Sequence, residues 1–314
     1  LSIISPQNGG TFIDCTFGQG GYTKKILEFP NTKVIAFDRD NKSNYIASKF
    51  KKKYKNRFEY HNKKFSEIDV VKSEENIKGI IFDLGFSFDQ IRDPLKGLSF
   101  NHKGKLNMKM GHNKFSADDI INNLPSKDLY KIFKFFGEEI NSKLISSKIV
   151  KERKYKKILT EDLVNIINKT KKKFTKLNKA TKIFQALRII VNNEISELVS
   201  ALSKSCNLIS KNGVIVTITF HSIEDRICKF FFNNISSIKK VSRYFPVNSD
   251  DNIYFELINK KPIIPSLKEI EKNPPSRSAK LRAVRRKENN KVDTKFVYEK
   301  FKNLIEIESL TSKL

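Results

Sequence analysis

Three aspartates stand where an apolar run gives way to a loop, and that recurrence is the first chemical signal in the chain. Asp14 lies in T-F-I-D-C (Thr11–Cys15) just before a loop, Asp38 follows K-V-I-A-F (Lys33–Phe37), and Asp83 follows I-K-G-I-I-F (Ile77–Phe82). The first is followed by G-Q-G-G-Y, residues 18–22, and then by a helical stretch. Glycine permits positive φ and close approach of backbone to a ligand, and a helix N-terminus offers unpaired N–H groups. The spacing is not the dinucleotide fingerprint G-x-G-x-x-G, whose third glycine would fall at Thr23. An acid ending the second strand can bind both hydroxyls of a ribose, so the set suits a nucleoside cofactor without requiring a pyrophosphate. The plainer alternative is a tight turn with a helix-capping acid, and any one strand-ending Asp reads equally well as a cap.

Two further clusters belong to the same edge. Within F-D-L-G-F-S-F-D-Q, Asp83, Ser87 and Gln90 leave the carboxyl end of a strand together, where open α/β sheets bind ligands. In T-F-H-S-I-E-D-R (Thr219–Arg226), His221 and Ser222 emerge beside Asp83 if the fifth strand neighbours the fourth. A Ser–His nucleophile is disfavoured, because adjacent residues after a strand diverge and no G-x-S-x-G accompanies them. Glu224, Asp225 and Arg226 can cap and pair along the following helix, so a structural role for His221 and Ser222 stands beside a substrate-pocket role. A fourth cluster, N-P-P-S-R-S-A-K-L-R (Asn273–Arg282), opens a stretch with seven cations from Arg277 to Lys291. Arginine forks bind phosphates bidentately, and charges also protect a solvated edge strand.

The elements that must position these residues follow from periodicity. Strands at Thr11–Cys15, Lys33–Phe37, Phe58–His61 and Ile77–Phe82 alternate with helices at Thr23–Leu27 and Asn41–Lys53, which predicts a parallel sheet covered on both faces. From about His102 to Lys182 the pattern is helical, with runs at Asp118–Leu124, Ser126–Phe136, Glu138–Arg153 and Glu161–Asn168. Twelve Lys or Arg against three acids between Lys151 and Lys182, with Lys171, Lys172 and Lys173 together, give that interval a basic face. One helical stripe then runs Leu187, Val191, Ile195, Leu198, Leu202, Cys206 and Ile209. Strands follow at Gly213–Phe220, Tyr254–Asn259 and Lys280–Arg286, with a helix at Glu224–Phe232 and a terminal one from Asp293 to Leu310. The expected division is a sheet domain at 1–101 and 184–292, an inserted helical domain at 102–183 and a helical extension at 293–314.

The 314 residues carry 61 Lys+Arg against 34 Asp+Glu, a formal charge of +27. Such an excess repels itself unless an anionic partner is bound, and nucleic acid is the commonest. Compositional drift towards Lys, Asn and Ile contributes as well. Cys15, Cys206 and Cys228 form neither a disulfide framework nor a zinc site, which fits a reducing cytoplasm, and no metal is expected. No apolar run is long enough for a membrane span, so no membrane partner is expected. The chain opens at Leu1 rather than Met, as one that starts late would.

Nine segments, taken in order, resemble the RsmH (MraW) family, S-adenosylmethionine-dependent methyltransferases of bacterial 16S ribosomal RNA. They are D-C-T-F-G-Q-G-G-Y (14–22), F-D-R-D (37–40), F-D-L-G-F-S-F-D-Q (82–90), P-L-K-G-L-S-F (94–100), L-N-M-K-M (106–110), F-G-E-E (136–139), K-A-T-K-I-F-Q-A-L-R-I-I-V-N (179–192), F-H-S-I-E-D-R (220–226) and N-P-P-S-R-S-A-K-L-R (273–282). The resemblance implies an α/β, class I (Rossmann-like) methyltransferase sheet with an inserted all-helical domain. It implies that Gly20, Gly21 and Tyr22 line the methionine side of the cofactor, that Asp38 holds the ribose, and that Phe65, Asp83 and Gln90 complete the pocket. The implied reaction methylates the 4-amino group of a cytidine in the decoding region of the small ribosomal subunit. Candidate catalytic groups are Asp83, Ser87, His221 and Ser222; candidate RNA contacts are Lys171, Lys172, Lys173, Arg277, Lys280 and Arg282.

This sequence departs from the family where Tyr22 replaces a usual His, and where Asn107 and Lys109 replace Asp and Arg. The family's N-terminal H-x-P-V-L segment is absent, and the helix after Asp293 extends past the usual end. A dehydrogenase is disfavoured by the glycine spacing. A non-catalytic RNA-binding or ribosome-assembly protein on the same fold, a methyltransferase with another nucleic-acid target, and a homodimer all stay open.

Overall fold

Neighbouring residues on the strands point to opposite faces, yet Phe12 and Ile13, Val34 and Ile35, and Ile80 and Ile81 are all buried. Continuous apolar runs of this kind require a sheet covered on both sides. The computed structural model describes residues 1–72, 75–100, 104–111, 113–171, 178–236 and 254–314, with backbone alone at 88 and 89. Its first half alternates β1 (Gly10–Asp14), α1 (Gly21–Leu27), β2 (Thr32–Phe37), α2 (Ser43–Tyr54), β3 (Phe58–His61) and β4 (Ile77–Asp83). Helices follow: α3 (Phe88–Arg92), α4 (Ala117–Asn123), α5 (Ser126–Phe135), α6 (Ser142–Glu152), α7 (Thr160–Thr170), α8 (Thr181–Asn192) and α9 (Glu194–Leu208). The chain then forms β5 (Val214–Thr219), α10 (Ser222–Ile235), β6 (Phe255–Leu257), α11 (Leu267–Lys272), β7 (Lys280–Arg286) and α12 (Lys295–Glu308).

The seven strands lie in the order β3-β2-β1-β4-β5-β7-β6, which is the Rossmann-like class I methyltransferase arrangement. β1 to β5 are parallel, and β7 runs antiparallel to both β5 and β6. The winding reverses between β1 and β4, so a crevice opens at their carboxyl ends. Register brings the aspartates there: Asp14 lies opposite Ala36 and Ile81, and Asp83 opposite Ile218. The fifth strand does neighbour the fourth.

Two compact units result. One comprises Leu1–Gly85 with Glu197–Lys300, the other Phe86–Ser196 with Phe301–Leu314. The chain therefore changes unit soon after β4 rather than at residue 102, and α8 falls in the helical unit. An apolar stripe reports that a helix is buried, not which neighbour buries it.

In the sheet unit, Phe12, Phe17, Ile26, Val34 and Phe58 belong to one apolar cluster. All three cysteines are free and buried, and burial pushes the Cys228 thiol up to about 12.

In the helical unit, the stripe expected as one helix is broken at Asn193, whose φ of 51° ends α8 before α9 begins. Asparagine tolerates the left-handed conformation, and one such residue leaves little trace in apolar spacing. The helix expected from Glu138 starts only at Ser142. Glu138 adopts φ 48°, and a Cβ on Gly137 would lie 2.6 Å from the Lys182 carbonyl. Buried Asn192 pins the 106–110 segment: its Nδ2 donates to the Met108 carbonyl at 2.9 Å, and its Oδ1 accepts from Met110 N at 2.8 Å. At the other end of the chain, Glu308 accepts from the amides of Ile195 (2.7 Å) and Ser196 (2.9 Å), satisfying N–H groups of the first turn of α9.

Candidate active site

The turn after β1 is built by short-range bonds. Thr23 Oγ1 donates to Asp14 at 2.7 Å, and the Thr16 amide donates to the same carboxylate at 3.2 Å. Thr16 Oγ1 in turn accepts from the Asp83 amide at 3.0 Å, tying the β1 loop to the end of β4. Gly20 sits at φ 75° immediately before α1. Asp38 accepts from Gly18 N at 2.7 Å and from Asp40 N at 2.8 Å, so the second acid holds the glycine loop from the other side. Tyr22, at the start of α1, is hydrogen-bonded through its hydroxyl to Asp83.

The acids strain one another electrostatically. Burial lifts Asp14 to about 6 against the bonds from Thr23 and Thr16, and the Asp38 charge adds to the lift. Asp38 is raised by burial despite its amide partners. Burial also lifts Asp83 to about 6, followed by the Asp14 charge; the Tyr22 bond opposes this and the Glu224 charge adds to it. No cation pairs with Asp14, Asp38 or Asp83 among the described residues. Buried like charges persist at neutral pH when something positive is brought to them.

Two observations test whether a sulfonium nucleoside fits. Asp83 Oδ1 is buried and has no hydrogen-bond partner among the described residues. A Cβ on Gly21 would meet nothing within 4 Å, so there is open space at the start of α1. An acceptor, clustered negative charge and free volume suit S-adenosylmethionine, whose sulfonium and ammonium are both cationic. Phe65, half-buried just after β3, packs edge-on to Phe82 with ring centroids 5.8 Å apart.

Gly20, Gly21, Tyr22, Asp38, Phe65, Asp83, His221 and Ser222 all belong to the sheet unit. Ser87 and Gln90 fall in the helical unit, where they cap one another: Gln90 Oε1 accepts from Ser87 N at 3.0 Å, and Ser87 Oγ from Gln90 N at 3.3 Å. His221 is the N-cap of α10, its Nε2 3.1 Å from Glu224 Oε1, while Glu224 Oε2 accepts from Phe220 N at 2.9 Å. Ser222 is the first residue of that helix.

The basic candidates separate. Arg282 is buried and donates to Asp225 at 2.7 Å, with Lys280 on the other carboxylate oxygen at 3.0 Å. Arg282 is therefore an internal brace rather than a group offered to phosphate. Lys171 is tied to Glu139 at 2.7 Å and to the Lys179 carbonyl at 2.8 Å. Lys172 and Lys173 lie outside the described residues. Arg277 is exposed and in no ion pair among the described residues.

Thr16, Thr23 and the Tyr22–Asp83 bond carry no mark in the motifs. A Thr nine residues after Asp14 has no spacing rule to mark it, whereas a phenol replacing imidazole beside a glycine loop does invite the question of its partner.

A family model described as the MraW methylase family matches residues 1–287. The chain is 39% identical over 295 residues to a ribosomal RNA small subunit methyltransferase H of Orientia tsutsugamushi (strain Ikeda), covering 90% of this chain and 94% of that one. It is 38% identical over 292 residues to the protein of the same description from Wolbachia sp. subsp. Drosophila simulans (strain wRi), covering 91% and 96%. A solved rRNA methylase from Streptococcus thermophilus aligns over 91% of this chain and 95% of its own at 10% identity, with a TM-score of 0.40.

Proposed function

The chain belongs to the MraW methylase family, and from that premise we propose that it methylates the exocyclic 4-amino group of a cytidine in the decoding region of 16S ribosomal RNA. The methyl donor is S-adenosylmethionine, which supplies an activated methyl and its own leaving group. The observation that supports the reading best is the buried, unpartnered Oδ1 of Asp83 among carboxylates that no cation neutralises.

The cytosine amine is a poor nucleophile because its lone pair is delocalised into the ring. Catalysis therefore rests on placing that nitrogen in line with the methyl group and on an acceptor for its hydrogens. Asp83 is the group we assign to that acceptance, with its backbone fixed by Thr16 and its carboxylate by Tyr22. Asp38 would hold the ribose hydroxyls, the Gly20–Gly21 backbone would line the methionine side, and Phe65 would cover the adenine. His221 and Ser222 act through the start of α10, as positioning residues. The base must be unpaired or extruded to reach this edge, at a cost of about a few kcal/mol. The reading places the chain in the cytoplasm, with the small ribosomal subunit as partner. Among the described residues no helix is long and apolar enough to cross a membrane.

Labelled methyl transfer to small subunits lacking the modification, followed by mapping of the labelled base, tests the proposal. Label on a cytidine 4-amino group is expected. Label on another atom overturns the assigned target, and Asp83→Asn at full turnover on saturating RNA overturns the assigned acceptor.

A further inference from the structure

The segment K-K-P-I-I-P-S-L-K, residues 260–268, places apolar side chains in water on a backbone that cannot easily withdraw them. Pro262 and Pro265 each fix φ and bracket Ile263 and Ile264. The Ile263 amide donates to the Leu281 carbonyl, and the Leu281 amide donates to the Ile263 carbonyl, both at 2.9 Å. Asn259 clamps the approach: its Nδ2 donates to the carbonyls of Lys261 (2.7 Å) and Leu281 (3.1 Å), and its Oδ1 accepts from Ala283 N at 2.9 Å. Ser266 caps α11, accepting from Glu269 N at 3.2 Å. Even so, Ile263 is 49% exposed, Ile264 66% and Leu267 79%. Single exposed apolar residues are ordinary; three together on a fixed backbone mark a contact surface.

Its place in the sheet says what it faces. Asp83 lies opposite Ile218, Ile218 opposite Leu281, and Leu281 opposite Ile263. One level of the sheet therefore runs from the Asp83 site to this ledge, three strand spacings away, about 14 Å at ~4.8 Å each. The Glu269 charge on α11 is also near enough to disfavour ionisation of Tyr22, after burial and the Asp83 and Asp14 charges.

Charge selects the partner. From Lys260 to Arg277 the segment holds five cations against Glu269 and Glu271. The cations are exposed, and none is in an ion pair among the described residues. Apolar side chains rimmed by free cations suit a polymer with flat apolar faces and a phosphate backbone.

Resting on the reaction proposed above, we propose that Ile263, Ile264 and Leu267 form the ledge on which the unpaired nucleotides flanking the target base settle, with Lys261, Lys268 and Arg277 taking their phosphates. The ledge keeps the strand from restacking and holds the extruded base at Asp83.

Two measurements on the full chain test this. The first is the KM for undermodified small subunits in Ile264→Ser/Leu267→Ser, alongside affinity for S-adenosylhomocysteine. A rise in RNA KM of about tenfold is expected, with unchanged nucleoside affinity and melting temperature. An unchanged RNA KM overturns the ledge. The second places the photocrosslinking residue benzoylphenylalanine at position 267, irradiates with the same subunits and maps the adducts. Adducts to 16S RNA within a few nucleotides of the methylated base support the ledge; adducts to ribosomal protein alone overturn it. RNA adducts at 267 without methyl transfer would keep the surface and sink the reaction. Normal transfer with an unchanged KM and no RNA adduct would do the reverse.

Discussion

The hydroxyl of Tyr22 is hydrogen-bonded to the carboxylate of Asp83, so the start of α1 and the end of β4 share one proton-bearing contact across the crevice. A phenol there remains a neutral donor at physiological pH, because burial and the Asp83 charge push its ionisation upward. The bond favours ionised Asp83, whose carboxyl burial nonetheless lifts to about 6. In Tyr22→Phe the acid limb of the methyl-transfer pH profile should move upward. Near pH 6 the rate should fall about threefold, with little change at about pH 8. An acid limb that stays in place would show that Tyr22 does not tune Asp83.

Cofactor binding should release protons. Asp14 and Asp83 are both lifted to about 6, and a cation brought to them favours their ionised forms. Affinity for S-adenosylmethionine should rise with pH through about 6 and then level off. Calorimetry in two buffers of different ionisation enthalpy measures the protons directly. Without ligand the sign reverses for stability: a carboxyl lifted from 3.8 to about 6 favours the fold below its unfolded pKa and loses that contribution as pH rises through 6. For Asp14 the loss is ~3 kcal/mol. The free protein's melting temperature should fall between these values, and by less with ligand bound.

The two adjacent glycines should behave differently. A Cβ at Gly20 would lie 2.7 Å from Phe50 Cζ and 3.0 Å from Phe17 Cε2, at φ 75°. Gly20→Ala should cost about 1–3 kcal/mol and lower the melting temperature. At Gly21 the same methyl meets nothing within 4 Å. Gly21→Ala should leave stability nearly unchanged and weaken cofactor binding, which titration with S-adenosylhomocysteine measures.

The basic residues of β7 and its approach separate into structure and contact. Arg282→Ala removes a buried partner of Asp225 and should destabilise the fold by about 3 kcal/mol. Arg277→Ala should leave stability alone and lower the salt slope of RNA binding by about one. Binding titrations across salt concentrations, with a thermal melt of each variant, distinguish the two.

The parallel sheet was legible because its strands are continuous apolar runs, and Phe58–His61 and Lys280–Arg286 match to the residue. The convergence of Asp14, Asp38 and Asp83 followed from the same pattern, since strand ends in a parallel sheet share an edge. Pairing was not legible. Arg282 and Arg277 look alike in sequence, and only the position of Asp225 on α10 makes one internal. Nor could periodicity show the break at Asn193, where the apolar stripe passes through without losing phase.

Glu308 adds a second pH response, in the helical unit. Burial lifts it from 4.5 to about 7 although Ile195 and Ser196 donate to it. Its contribution is full below the unfolded value and is lost as pH rises towards 7, a change of ~3 kcal/mol. Glu308→Gln keeps an acceptor without the charge, so the stability slope across this interval should flatten. Chemical denaturation at several pH values checks it.

Because Cys15, Cys206 and Cys228 all lie inside the protein, and burial lifts their thiols far from thiolate formation, the native surface offers electrophiles and oxidants no reactive sulfur. A cysteine introduced on the outside would be the sole site for maleimide attachment. Fluorescent or spin labels could therefore be attached at chosen positions with the protein's own cysteines left in place.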